Sequence, residues 1–145
     1  MSYTIQLLHI IINTKDRKKT IPIKAKDNLY RYIRAIINDK NCELHRINGV
    51  ENHIHILVGL HPSIALMELV RDIKRGTSLW LKQSADYPYF DGWSKEYAAF
   101  SVSWSNKDKV TEYIQNQEEH HKRLTFAEEW NRFLQACEMS EYRSK

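Results

Sequence analysis

Apolar positions along the chain fall into two rhythms, one of period two and one near 3.6, and their alternation sets out the elements. Residues 3–13 are rich in Ile, Tyr and Thr and predict a first strand. Residues 15–26 carry Lys15, Arg17, Lys18, Lys19, Lys24 and Lys26 against one acid, Asp16, and Pro22 makes them a loop or broken edge strand. Leu29, Ile33, Ile36 and Ile37 recur at helical spacing behind Asn28, a candidate cap, and predict a helix over 29–39. Residues 42–47 and 53–59 read as two extended segments turning at Asn48-Gly49. Pro62 and Ser63 introduce a second helix whose face is Ile64, Leu66, Met67, Val70, Ile73 and Trp80. Residues 86–92 are turn-like and 100–104 predict a short fourth strand. Asn106 or Asp108 caps a third helix running through Val110, Tyr113, Ile114 and Gln117 to His121. A last amphipathic helix covers 126–136, and the polar tail 140–145 is expected to fray.

Strand, helix, hairpin, helix, strand and two more helices is the α+β, ferredoxin-like βαββαβ order with a C-terminal helical extension. An antiparallel sheet is expected, with helices on one face and the other face open to solvent, a partner or a ligand. The 145 residues suit one domain, expected to be residues 1–145 entire. With 42% hydrophobic residues the chain has enough apolar side chains for a core. Two distant cysteines, Cys42 and Cys137, read as free thiols in a reducing compartment. No run approaches a membrane span of about 18 apolar residues. The early run 5–12 is broken by Gln6 and His9, with no basic residue before it, so it is a poor signal peptide. A cytoplasmic location follows as the default. Lys and Arg exceed Asp and Glu by 22 − 18 = 4, a mild lean towards a polyanionic partner.

The sharpest chemical feature is His53-Ile54-His55. Strand alternation puts Ile54, Ile56 and Val58 on one face and both imidazoles on the other, where neutral ring nitrogens can converge on a divalent cation. An H-x-H pair alone is better read as two half-exposed strand histidines with no ligand. Tyr113 and Gln117 are four apart on the third helix. A tyrosine hydroxyl can attack phosphorus and an amide oxygen can ligate a hard metal, but a surface tyrosine over a core-facing helix has the same spacing. His120-His121, one turn on, are extra ligands or solvated side chains. Lys15, Arg17, Lys18, Lys74 and Arg75 are candidate phosphate contacts, against a merely solubilising surface. The aromatics between Tyr87 and Trp104 suit base stacking or the core. Ser78, Ser101 and Ser103 have no recognisable triad partners, and no Walker A, GxGxxG or CxxC run is present.

Several segments together resemble one family, the small single-tyrosine HUH transposases of bacterial insertion sequences and their relatives associated with repetitive extragenic palindromes. They are Asn48-Gly49-Val50-Glu51-Asn52-His53-Ile54-His55-Ile56-Leu57-Val58, then Leu69-Val70-Arg71-Asp72-Ile73-Lys74, then Tyr97-Ala98-Ala99-Phe100-Ser101-Val102-Ser103. Tyr113-Ile114-Gln115-Asn116-Gln117-Glu118-Glu119-His120-His121 follows in family order, and Asn13-Thr14-Lys15-Asp16-Arg17 matches the family's Thr-Lys-x-Arg turn. The chain departs at Trp93-Ser94-Lys95-Glu96-Tyr97, where the family carries Trp-Gln-x-Gly-Tyr, which bears on loop geometry and DNA-end preference.

The resemblance implies a DNA transposase that cleaves and rejoins single-stranded DNA at hairpin-marked ends. It implies Tyr113 as nucleophile, forming a 5′-phosphotyrosine, and His53, His55 and Gln117 as ligands of Mg²⁺ or Mn²⁺. It also implies a homodimer in which the tyrosine helix of one subunit completes the histidine site of the other. Two rivals stand beside it: a non-catalytic single-stranded nucleic-acid-binding module, and a metal-dependent phosphodiesterase that uses water and leaves Tyr113 structural.

Overall fold

A computed structural model describes residues 2–122 and 124–136. Its strands are β1 (Leu7–Thr14), β2 (Glu43–Val50), β3 (His53–Gly59) and β4 (Trp93–Val102). Its helices are α1 (Lys26–Asp39), α2 (Leu66–Gln83), α3 (Lys107–Gln115), α4 (Gln117–His121) and α5 (Phe126–Ala136). The strands form one antiparallel sheet in the order β2-β3-β1-β4. This is the expected α+β, ferredoxin-like arrangement.

The register explains the core. Ile10 lies opposite Ile56 and Ile12 opposite Ile54, so these four isoleucines share a face. They pack with Leu29, Ile33 and Ile37 of α1 and Leu69, Val70 and Ile73 of α2. Tyr32 stacks on Trp80 at 4.9 Å between the ring centres where the two helices meet. Tyr87 and Phe90 are buried in this core, while Tyr89 is exposed. The Tyr87 hydroxyl donates to the Ala25 carbonyl.

The second face is not open. Ile11 and Ala98 on it are covered by Phe126, with Phe100 and Trp130 packed alongside. α5 thus lies over the sheet, and both faces of β1 and β3 are buried.

Other expectations also shift. β1 starts at Leu7, whose partners Gly59 and Val102 are the last residues of β3 and β4; just before it, the Gln6 carbonyl accepts from the Leu60 N–H at 2.8 Å. Lys15–Arg17 and Ile23–Ala25 form two short 3-10 turns before α1, which begins at Lys26 without a side-chain cap, so Asn28 lies inside the helix. α2 begins at Leu66, leaving Ile64 before it. β4 starts seven residues earlier than the expected 100, because Tyr97, Ala98 and Ala99 pair with Ile12, Ile11 and Ile10, and Trp93 pairs with Thr14 across a register shift.

Asn48-Gly49 is not the hairpin turn. Both residues lie inside β2, opposite His55 and Ile54, and the turn falls at Glu51-Asn52. A Cβ on Gly49 would stand 2.2 Å from the His53 carbonyl oxygen, so this glycine serves close strand approach. The third helix also breaks: α3 stops at Gln115 and Gln117 opens α4. α5 has the expected bounds. The tail 140–145 and Cys137 lie outside the described residues. Among the described residues, no helix is long and apolar enough to cross a membrane.

Candidate metal and tyrosine site

β3 sets His53 and His55 on the face that α5 covers, and both rings are fully buried, their centres 5.2 Å apart. The turn before β3 orients the first ring. His53 Nδ1 lies 2.7 Å from Asn52 Oδ1. Because Asn52 Nδ2 donates to the Arg17 carbonyl, Oδ1 faces the ring as acceptor, His53 Nδ1–H donates, and the neutral ring's Nε2 keeps its lone pair. Thr14 locks this turn: its N–H donates to the Asn52 carbonyl at 2.9 Å, and its hydroxyl donates to the Lys18 carbonyl at 2.6 Å with the Asn52 carbonyl 3.1 Å away. That is the structural work of the Thr-Lys-x-Arg segment.

Two residues not singled out by the sequence complete the cluster. His9, on the same sheet face of β1, puts Nε2 2.7 Å from His55 Nδ1. Glu129, on α5, is 2% exposed and drives its carboxylate between the imidazoles. Its Oε1 is 2.6 Å from His55 Nε2 and 3.6 Å from His53 Nε2, and its Oε2 is 2.7 Å from His121 Nε2. A signal for Glu129 exists in the sequence: a carboxylate three residues after Phe126 and beside Trp130, on the face that packs against the sheet. For His9 the signal is its place between Leu7 and Ile11 in the strand alternation.

Tyr113 stands against its own chain's histidines, its ring centre 5.9 Å from that of His55 and 6.3 Å from that of His9. α3 is anchored by buried Ile114 and by Asn48 Nδ2, which donates to the Gln115 carbonyl at 2.9 Å. Gln117 is fully buried, with neither amide atom in a well-formed hydrogen bond. Its proximity to the Tyr113 hydroxyl still registers in that group's acidity. His121 is half-buried, its ring 4.6 Å from that of His53. The His120 side chain is outside the described ones.

The remaining candidates fall in separate places. Lys15, Lys74 and Arg75 line a cavity of about 690 Å³ between α2 and β4. Lys74 is already engaged, donating to the Ser94 and Lys95 carbonyls at 2.8 and 3.2 Å, and burial lowers its pKa. Lys18 pairs with Asp91 at 3.0 Å. The Arg17 guanidinium lies 4.7 Å above the Phe126 ring, beside the histidine cluster.

Burial sets the charges. Desolvation first, then the neighbouring His55, lowers His9 to about 3. Desolvation likewise lowers His53 to about 4, against the pull of Glu129. Burial pushes Glu129 upward, but the close approach of His121, His53 and His55 outweighs it and holds the carboxyl well below its usual range. Tyr113 is raised, by burial, then by the charge and close approach of Glu129; Gln117 and Arg132 act the other way.

The site therefore sets the neutral His9 and His53 rings beside an ionised carboxylate. His53 Nε2, His121 Nε2 and both Glu129 oxygens approach closely without hydrogen-bond angles. Facing lone pairs are satisfied by a cation between them. One nitrogen each from His53 and His55 and one oxygen from Glu129 lie within 4.8 Å of one another, a donor set that fits a divalent ion. Cavities of about 520 Å³ and 400 Å³ flank the cluster, one bounded by Asn52, His121 and Phe126, the other by His9, Lys109 and Tyr113.

A family model described as "Transposase IS200 like" matches residues 2–117. The match ends at Gln117, so His121 and Glu129 lie beyond it. Among solved structures, a proposed transposase from Deinococcus radiodurans R1 is 24% identical, with a TM-score of 0.59 over 81% of this chain and 95% of its own. A REP-associated tyrosine transposase bound to a REP hairpin is 14% identical, with a TM-score of 0.65 over 86% of this chain and 74% of its own. A search of curated proteins returns no match.

Proposed function

The chain belongs to the IS200-like transposase family, and on that premise we propose that it cleaves and rejoins single-stranded DNA at hairpin-marked ends through Tyr113. The observation that carries this reading is the phenol of Tyr113 beside the paired imidazoles, 5.9 Å between the ring centres of Tyr113 and His55. His53 and His55 would hold Mg²⁺ or Mn²⁺, with Gln117 and Glu129 as oxygen donors. Such an ion supplies Lewis-acid polarisation of the scissile phosphate.

The protein's own residues do the rest. The strand face aims the His53 and His55 rings, and α3 presents the phenol. Burial, and then the ionised Glu129 close by, hold the phenol protonated, so both must be offset before attack. Attack forms a bond from the tyrosine oxygen to phosphorus and breaks the bond from phosphorus to the 3′ oxygen. The phenolic proton leaves and the departing 3′ oxygen takes one up. The product is a 5′-phosphotyrosine, which a second 3′-hydroxyl reverses without ATP, since one phosphodiester replaces another. Lys15, Arg17, Lys18, Lys74 and Arg75 are the proposed phosphate contacts, the exposed Arg75 a freer one than Lys74, whose donors are engaged.

The test is a labelled hairpin-bearing single strand incubated with Mn²⁺ and run on a denaturing gel. A shifted covalent band that disappears in Tyr113→Phe supports the proposal. Cleavage without a band that survives Tyr113→Phe assigns the chemistry to water. The homodimer with a composite site is part of the same proposal, and mixing Tyr113→Phe with His55→Ala tests it. The mixture regains the band when the tyrosine acts on the partner's histidines. It stays inactive when each chain works alone, which would overturn the composite site and leave Tyr113 acting beside its own His55.

A further inference from the structure

We propose that His9 is a positioning residue of the metal site, holding His55 in the tautomer and orientation that presents Nε2 to the ion. This rests on the reading of His55 as a ligand. In the β1–β3 register His9 lies opposite Leu57, so its side chain stands one diagonal step from His55 on the same face. The residue is 3% exposed. Its ring centre lies 5.0 Å from that of His55 with 37° between the planes, and Phe100 and Tyr113 meet it edge-on at 6.5 and 6.3 Å. The ring is thus wedged with Nε2 fixed 2.7 Å from His55 Nδ1.

A neutral imidazole has one N–H and one lone pair. At this distance one ring donates and the other accepts. When His9 accepts, His55 carries its proton on Nδ1 and turns a bare Nε2 towards Glu129 and the other donors. When His9 donates, His55 is the opposite tautomer and its Nε2 carries a hydrogen, which blocks ligation. Ligating histidines generally give their second N–H to a carbonyl, carboxylate or water. Asn52 has that part for His53. Here a buried imidazole takes it for His55. His9 is therefore more than core filling: its acceptor nitrogen selects which end of His55 faces the ion.

The experiment measures Mn²⁺ binding by calorimetry for the wild type, His9→Leu, His9→Gln and His55→Ala, with urea unfolding of each as a check on folding. His9→Leu removes the acceptor and is expected to weaken binding about 10–100-fold. His9→Gln restores an acceptor oxygen and is expected to recover most of that loss. Nitrogen shifts of the His55 ring in the Mg²⁺-loaded wild type should report a proton on Nδ1. Wild-type affinity in a folded His9→Leu overturns the proposal. If that variant does not fold, an Nε2-protonated His55 in the Mg²⁺-loaded wild type overturns it instead. Full affinity in His55→Ala would sink the ligand reading itself, whereas loss there with none in His9→Leu would sink only the role of His9.

Discussion

Acidification from pH 7 to pH 5 should destabilise the metal-free protein, and the histidine cluster sets the size of the effect. His9 and His53 ionise near their ordinary 6.5 in the unfolded chain but at about 3 and about 4 when folded. Below pH 6.5 the unfolded chain therefore binds two protons that the folded one refuses, so stability is full above that pH and falls as pH drops. Each group costs about 1.4 kcal/mol per pH unit in this window, or about 2 kcal/mol at pH 5, giving about 4 kcal/mol for the pair. For His53 the loss levels off near pH 4. Glu129 does not contribute here: its pKa is lowered, so its stabilisation is full above about 4.5 and is lost only further into acid. With an m-value of about 1.5–2 kcal/mol/M, the urea midpoint in EDTA should fall by about 2–3 M between pH 7 and pH 5. His53→Gln should halve that fall. A midpoint that moves by less than about 0.5 M, or an undiminished fall in His53→Gln, would refute the view that burial keeps these rings neutral.

Gly49→Ala should cost about 3 kcal/mol or prevent folding, because its Cβ would meet the backbone of His53 and Ile54 at 2.2 and 2.8 Å; urea unfolding reads this, and a wild-type midpoint would contradict it. Ile56→Ala empties a fully buried position opposite Ile10 and Ile47 and should cost about 3 kcal/mol, roughly a 10 °C fall in Tm by calorimetry. Glu129→Gln should weaken Mn²⁺ binding at least about tenfold in titration calorimetry; unchanged affinity would remove the carboxylate from the donor set.

The element order was legible because period-two and period-3.6 patterns are local, and α5 could be bounded from its apolar face alone. Asn48-Gly49 misled because a turn dipeptide is also what a close strand crossing requires; only the pairing of Gly49 with Ile54 distinguishes the two. Strand alternation correctly put Ile54 and Ile56 on the helix side and both histidines opposite. It could not show that Phe126 and Glu129, some 75 residues downstream, would return to cover them. His9 stayed hidden for the same reason, since one histidine in an apolar strand acquires meaning only once His55 is found beside it. The break after Gln115 was missed because helical spacing persists in sequence through Asn116 while the backbone does not follow it.

The most direct test is peptide mapping by mass spectrometry after reaction with hairpin-bearing single-stranded DNA and Mn²⁺, followed by nuclease trimming. A nucleotide linked through its 5′ phosphate to the peptide bearing Tyr113, absent when His53 and His55 are both replaced by alanine, is the predicted result. Strand cleavage with that peptide unmodified, or a linkage that forms equally without the two histidines, would contradict it.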